Sequence, residues 1–165
     1  MISFDKGLVI GKKLAIDPSR KKTVPSALIS HAHADHVKLN AKTKFFFSKQ
    51  TKAIIESRYA KVEQSKILPF DKKQEIDGFE ISLHNSGHIL GSASFKIYGP
   101  KTIGVTADFK TQDSLIQKGA KTFDADILVL ESTFGIPSFI FPEREQTYAE
   151  IGSWVKEKAA NGFVV

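Results

Sequence analysis

The stretch His31-Ala32-His33-Ala34-Asp35-His36 holds four potential metal ligands within six positions and directly follows an apolar run at 27–30. Such a run is typical of a buried strand, so the ligands are expected at the rim of a sheet. His31 and His33 are two residues apart and point the same way in an extended segment, so both can bind one ion. Asp35 and His36 follow, where the chain is expected to turn, and can reach a second ion. Imidazole nitrogens and carboxylate oxygens are ligands that zinc prefers.

A histidine-rich surface turn with no function is the alternative to a metal site. That explanation would suffice for one histidine. Four of the chain's five histidines, however, lie in this stretch or at His88, and chance clustering explains that poorly. The cluster therefore predicts a metal site.

Two later segments offer further ligands. His88 follows a glycine in the segment 87–92, between two predicted strands, where the backbone can come close to an ion. Asp108 ends a predicted strand, and an aspartate in that position commonly caps a turn. If two ions lie in the first cluster, Asp108 becomes the natural carboxylate to bridge them.

Short apolar or alternating runs between turn residues predict many strands and two helices, hence an α/β fold class. The expected strands are Leu8–Ile10 and Leu14–Ile16 as a hairpin, Ala27–Ser30, Phe45–Phe47, Glu75–His84, Ser92–Tyr98, Lys101–Ala107 and Asp126–Leu130. The expected helices are Lys49–Tyr59 and a segment from near Pro142 to Gly162, with one apolar stripe that includes Trp154. Trp154 and Phe45–Phe47 are expected in the core. A strand also begins at 163–165 and is cut off, so residues 1–165 are expected to be one domain, the amino-terminal part of a longer protein.

Composition narrows the class of protein. The 165 residues are 41% hydrophobic and 25% charged, which excludes wholesale disorder, and the absence of cysteine excludes a disulfide scaffold and a thiol nucleophile. Lysine and arginine exceed the acids by 24 − 18 = 6, which favours a polyanionic partner. Within this excess, the basic residues at 12–13 and 20–22 are interpreted as solubilising rather than as phosphate contacts. No signal peptide or membrane-spanning run is present, so a soluble, cytoplasmic protein is expected.

The order HAHADH, GHILGS, ADFK and ESTFG resembles the metallo-β-lactamase superfamily, and specifically its nucleic-acid-processing β-CASP branch. Within that branch the chain most resembles mRNA 3′-end processing and DNA ligase-associated exonucleases. The resemblance covers nearly the whole chain, in the stretches 4–7, 15–20, 30–36, 83–93, 105–110 and 133–137. It implies the first part of an αββα sandwich.

The resemblance also implies roles for particular residues. His31, His33 and His88 would bind one zinc, Asp35 and His36 the other, and Asp108 would bridge the pair. Asp17 would orient a ligand, Glu131 would assist proton transfer at the leaving oxygen, and Asp35 and Asp108 would belong to the catalytic set. Manganese is an alternative metal. Full-length members carry an inserted β-CASP domain and a later histidine that completes the second metal shell, and neither lies in this sequence.

The leading functional hypothesis is a two-metal nuclease that hydrolyses the phosphodiester bonds of RNA or single-stranded DNA with an activated water. One alternative is a hydrolase of the same fold that cleaves a thioester or lactone. Another is a nucleic-acid-binding fragment without catalysis. The family often has a histidine at the position of His84, and His84 is expected beside the site or on the surface rather than as a direct ligand. Ala107 stands where the family usually has glycine and is expected to be tolerated.

Overall fold

Three-residue apolar runs form the first strands of a computed structural model, which describes residues 2–4, 7–19 and 23–162. Gly11 takes a left-handed φ of 63° in the loop between Leu8–Ile10 and Leu14–Ile16. These two strands pair antiparallel, as predicted. The described residues form the strands β1 (Ile2–Phe4), β2 (Leu8–Ile10), β3 (Leu14–Ile16), β4 (Ser26–Leu28), β5 (Lys44–Phe47), β6 (Ser65–Ile67), β7 (Gln74–Ile76), β8 (Phe79–Asn85), β9 (Ala93–Tyr98), β10 (Ile103–Val105) and β11 (Ile127–Val129), with helices α1 (Lys49–Arg58) and α2 (Arg144–Ala160).

The strands make two sheets. Sheet A has the order β1-β2-β3-β4-β5-β6, and the pairs from β3 to β6 are parallel. Sheet B has the order β11-β10-β9-β8-β7 and is antiparallel except for its β10–β11 edge pair. Two sheets with both parallel and antiparallel pairs, and one helical crossover from β5 through α1 to β6, agree with the predicted α/β class.

The core lies between the sheets and on the far face of sheet A. Alternate residues of β2 separate onto the two faces, so that Leu8 and Ile10 join one apolar cluster and Val9 joins the other. The first cluster contains Ile81, Leu83, Phe95 and Ile97 of sheet B. The second contains Ile55 of α1, packed with Phe45 and Phe47. Sheet A is therefore covered on both faces, which explains its continuous apolar runs.

The predicted single strand Glu75–His84 is wrong: it is two strands, β7 and β8, joined at Asp77-Gly78. Both loop residues have positive φ, 50° and 86°. Asp-Gly is the preferred sequence of such a two-residue hairpin loop, because its twist matches that of the flanking strands. The apolar alternation continues across the loop, so the alternation alone does not reveal the turn.

The described residues fall into two compact units, one ending at Glu131 and the other beginning at Ser132. In the second unit, α2 begins and ends close to the predicted positions but has no buried residue among those described. Trp154 is 48% exposed, so its predicted place in the core is wrong. Among the described residues, no packing buries the apolar stripe of α2. The single-domain organisation stays a prediction.

Two predictions fall on undescribed residues: the strand expected at 163–165, and the basic residues at 20–22. Among the helices that the structure describes, neither has the length and apolar character needed to cross a bilayer.

Candidate metal centre

The first half of the candidate site grows from the carboxyl end of β4. The strand stays bonded to β5 as far as Ile29, whose N–H donates to the Phe46 carbonyl. His31 follows two residues later and is fully buried. The two extended positions bring His31 Nε2 within 3.0 Å of His33 Nδ1, as their spacing predicted.

His88 lies beside His31 and His33 but belongs to a loop of sheet B. It lies in the loop between β8 and β9, and its Nε2 atom is 3.2 Å from His33 Nδ1. Asp108 follows β10, and its Oδ2 atom lies 3.7 Å from His31 Nε2 and 3.6 Å from His88 Nε2. One ligand atom from each of the four residues lies within 4.8 Å of the other three.

The four interatomic distances given above are close to those in a tetrahedral cation site. Ligands about 2.0–2.1 Å from a tetrahedral zinc lie about 3.3 Å from one another. The nitrogen separations of 3.0 and 3.2 Å match this spacing, and the carboxylate distances are slightly longer. Three imidazoles and one carboxylate form a donor set that could bind a metal ion.

A second group of ligands meets the other oxygen of Asp108. His36 Nε2 lies 3.7 Å from Asp108 Oδ1 and 3.6 Å from Asp35 Oδ2. Asp108 thus turns Oδ2 toward His31 and His88 and Oδ1 toward His36. This is the arrangement that a carboxylate shared by two neighbouring cations requires.

Asp17 and Ser30 hold two of the imidazoles in a fixed orientation. The Ser30 N–H donates to Asp17 Oδ1 at 2.8 Å, and its hydroxyl donates to Asp17 Oδ2 at 2.6 Å. A hydroxyl has one proton, so the 2.8 Å contact between Ser30 Oγ and His31 Nδ1 requires the imidazole to donate. His36 Nδ1 lies 2.9 Å from Asp17 Oδ2 and donates to it. In the neutral imidazoles, both Nε2 atoms are then left with free lone pairs facing the cluster.

Burial and neighbouring charge set the protonation of the imidazoles. Burial, aided by His36, His88 and His33, lowers the pKa of His31 to about 3. Burial also lowers the pKa of His88, with Asp108 acting in the opposite direction. Burial acts to lower the pKa of His36 as well, but its hydrogen bond to Asp17 and the nearby carboxylates outweigh that effect and raise it. At neutral pH, His31 and His88 are therefore neutral and able to act as ligands.

The remaining candidate residues lie in different surroundings. Glu131 follows β11, its N–H donates to Thr106 Oγ1 at 3.2 Å, and its carboxylate acts on the pKa of His88. Glu131 therefore lies in the electrostatic range of the cluster. His84 points elsewhere, with Nδ1 2.9 Å from Asp71 Oδ1 and Nε2 2.8 Å from Ser82 Oγ.

Ser30 is the residue that sequence reasoning missed. Its sequence position predicts only the end of an apolar strand, yet its side chain touches both Asp17 and His31. The signal that could have found it is its position directly before the first histidine of the cluster, where a small hydroxyl can reach an imidazole.

No protein-family profile matches the chain. A probable RNase of Methanocaldococcus jannaschii is 30% identical over an alignment that covers 99% of this chain and 46% of that protein. RNase aCSPSF2 of Saccharolobus solfataricus is 28% identical over 86% of this chain and 35% of its own length. A probable DNA ligase of Opitutus terrae is 28% identical over 84% of this chain and 14% of its own length.

These relatives are β-CASP members of the metallo-β-lactamase superfamily, and the chain is their homologue, as the motifs predicted. The chain spans less than half the length of each of them. Two of these three relatives are named as RNases.

Proposed function

We propose that this chain carries the metal centre of a two-zinc nuclease that hydrolyses phosphodiester bonds of RNA, in the αββα architecture of its homologues. Single-stranded DNA is the second substrate to test, and manganese the second metal. The observation that carries the proposal is that the two carboxylate oxygens of Asp108 face different groups of ligands. One oxygen faces His31 and His88, and the other faces His36. The cytoplasmic location stays a prediction.

The chemistry follows from the donor set. A pair of bound zinc ions would lower the pKa of a shared water and offset charge on a phosphoryl group. The chain's own residues prepare for this in three ways. Asp17 and Ser30 fix the imidazole tautomers, burial keeps His31 neutral, and Glu131 stands near His88, where a carboxyl group can pass a proton to a leaving oxygen.

The names of the relatives support the substrate class. The Methanocaldococcus and Saccharolobus relatives are named as RNases, and a relative in Dictyostelium discoideum is named as a cleavage and polyadenylation specificity factor subunit. The net charge of +6 agrees with a polyanionic substrate.

The test compares His33→Ala with His84→Ala. His33 lies in the metal cluster, whereas His84 is an imidazole bound to Asp71 and Ser82. After reconstitution with zinc, elemental analysis should find about two ions in the wild type and in His84→Ala, and a clear loss in His33→Ala. Zinc-dependent cleavage of a labelled single-stranded RNA should follow the same order.

Three outcomes would contradict the proposal. Only trace metal in the reconstituted wild type would remove the metal centre. Hydrolysis of a thioester or lactone with no action on oligonucleotides would show that the chain belongs to another class of hydrolase. Binding of RNA without cleavage, in the presence of zinc or manganese, would identify a non-catalytic nucleic-acid-binding fragment.

A further inference from the structure

The loop that carries His88 is fastened to the first turn of α1. Ser48 Oγ lies 2.7 Å from the Gly91 carbonyl oxygen, and Thr51 Oγ1 lies 2.9 Å from the same atom. Both hydroxyl-bearing residues are 1% exposed or less. One buried carbonyl of the histidine loop therefore accepts hydrogen bonds from two buried hydroxyls of the helix.

The His88 loop and helix α1 are in close contact at Gly91. Gly91 has a left-handed φ of 82°, and a Cβ atom at this position would lie 2.6 Å from Gln50 Cβ and 2.7 Å from the Thr51 nitrogen. Only glycine allows the loop backbone to approach the helix so closely. The contact fixes the position of Gly91 relative to α1.

A tight turn transmits that position to His88. Ser92 Oγ accepts hydrogen bonds from the His88 and Ile89 N–H groups, each at 3.1 Å, and the Ser92 N–H donates to the Ile89 carbonyl. Residues 88–92 are thus bonded to one another across the turn. A displacement of Gly91 would carry the His88 backbone with it.

The contact matters because His88 comes from a different sheet than the other two imidazoles of its group. His31 and His33 extend from β4 of sheet A, while His88 lies between two strands of sheet B. Helix α1 packs on sheet A through Ile55, in the cluster that also contains Phe47. The helix is therefore anchored to the sheet that carries two ligands and bonded to the loop that carries the third.

We infer that Ser48 and Thr51 are positioning residues that hold His88 at the distance the metal cluster needs. This inference rests on the proposed function, because it assigns the two hydroxyls a role in binding the cation. Thr51 gives the cleaner test, since Ser48 also caps α1 by accepting the Thr51 N–H at 3.1 Å.

Thr43, directly before β5, offers a matched control. Thr43 is fully buried like Thr51, and its hydroxyl donates to the Val24 carbonyl at 2.8 Å. It precedes β5, whereas Ser48 follows that strand, so the two ends are about 16 Å apart at the usual rise per residue. Thr43→Val therefore removes an equivalent hydrogen bond without touching the histidine loop.

The experiment measures zinc affinity by competition with a chromophoric chelator, with the free energy of unfolding measured for each variant. Thr51→Val should weaken the tighter zinc site by about tenfold, in the range that partners of metal ligands show, and Ser48→Ala/Thr51→Val should weaken it further. Thr51→Ser should restore the affinity. Thr43→Val should lose comparable stability while its zinc affinity stays that of the wild type. Equal affinities in Thr51→Val, Thr43→Val and the wild type would overturn the inference.

A second measurement separates this inference from the proposed function. The imidazole NMR signals of the metal-free protein report the surroundings of His88 directly. Thr51→Val should move or broaden the His88 signal and leave the His84 signal unchanged, and Thr43→Val should move neither. A wild type that binds no zinc would defeat the proposed function, whereas an unmoved His88 signal would defeat the positioning role.

Discussion

Ala107 sits in the left-handed region, with φ 48°, immediately before the aspartate whose two oxygens face both groups of ligands. A non-glycine residue in this region costs about 1–2 kcal/mol through the close approach of Cβ to the carbonyl oxygen. The substitution of the family's usual glycine, which was expected to be tolerated, thus leaves strain beside Asp108.

Ala107→Gly should therefore stabilise the fold by up to about 1 kcal/mol, since the greater freedom of glycine in the unfolded chain offsets part of the relief. Ala41→Gly is the control, because Ala41 is exposed and is absent from the described left-handed residues; it should destabilise by about 0.5–1 kcal/mol. Urea unfolding of the metal-free proteins measures both. Destabilisation by both substitutions would refute the strain at Ala107.

His84 supplies a pH dependence outside the metal cluster. Burial lowers its pKa below 6.5, and Lys121 and Lys96 act with burial while Asp71 opposes them. Between the lowered pKa and 6.5 the unfolded chain binds more protons at this position than the folded one does. The contribution of His84 to the free energy of unfolding is therefore fully present above pH 6.5. It is lost as the pH falls from 6.5 through the lowered pKa.

His84→Asn removes this titration. From about pH 7.5 to about pH 5.5, the free energy of unfolding should fall more steeply for the wild type than for His84→Asn, because other groups titrate equally in both. Denaturant titration at the two pH values gives the comparison. Parallel losses would show that His84 does not titrate differently on folding.

At the residue scale, local sequence indicates which side chains lie together in the cluster, whereas the residues that support the imidazoles leave no local signal, and Asp17 was expected only from the family resemblance. His31 and His33 are two residues apart in an extended segment, so local geometry alone makes their side chains point the same way. The partners of the imidazoles come from distant parts of the chain: Asp17 lies 19 residues before His36, and Asp71 lies 13 residues before His84. No local pattern marks such pairs, because only the tertiary fold brings them together.

Among the elements, buried strands were easier to predict than edge strands. Leu14–Ile16 lies inside sheet A and is entirely apolar, so its sequence indicates that it is buried. Ser65–Ile67 is an edge strand with one neighbour, is not buried, and has no apolar run to reveal it. Edge strands are held mainly by backbone hydrogen bonds, which depend little on the side chain for residues other than proline.

The Asp77-Gly78 loop gives the element-scale prediction. Gly78 has φ 86°, and a Cβ atom added there would have no neighbour within 4 Å, so an alanine meets only backbone strain. Gly78→Ala should destabilise by about 1 kcal/mol. Gly152 lies inside α2, where its Cβ would also meet nothing, and Gly152→Ala should raise helix stability by about 0.5–1 kcal/mol. Thermal unfolding followed by circular dichroism tests the opposite signs, and a shared sign would contradict the argument.

At the scale of the whole molecule, the proposed function predicts that positive charge contributes to nucleic-acid binding where it lies near the metal cluster. Lys12 and Lys13 are exposed in the loop between β2 and β3, at the opposite end of β3 from Asp17. Lys110 instead follows Asp108 by two residues, and its N–H donates to the Ser86 carbonyl beside the histidine loop. We therefore expect Lys12 and Lys13 to aid solubility and Lys110 to contact phosphate, and their different positions allow the two roles to be tested separately.

Salt dependence distinguishes the two. Wild-type affinity for a single-stranded oligonucleotide should fall by a factor of about 7 to 20 from about 50 to about 200 mM salt, the loss expected from two or three neutralised phosphates. Lys110→Ala should reduce the slope of log affinity against log salt by about 0.7, the contribution of one phosphate on a single strand. Lys12→Ala/Lys13→Ala should leave the slope unchanged although it removes two charges. Fluorescence anisotropy provides the measurement. A slope that follows total charge, whichever lysines are removed, would mean that the phosphate backbone is held by the overall field of the protein and not at the rim where the histidines meet.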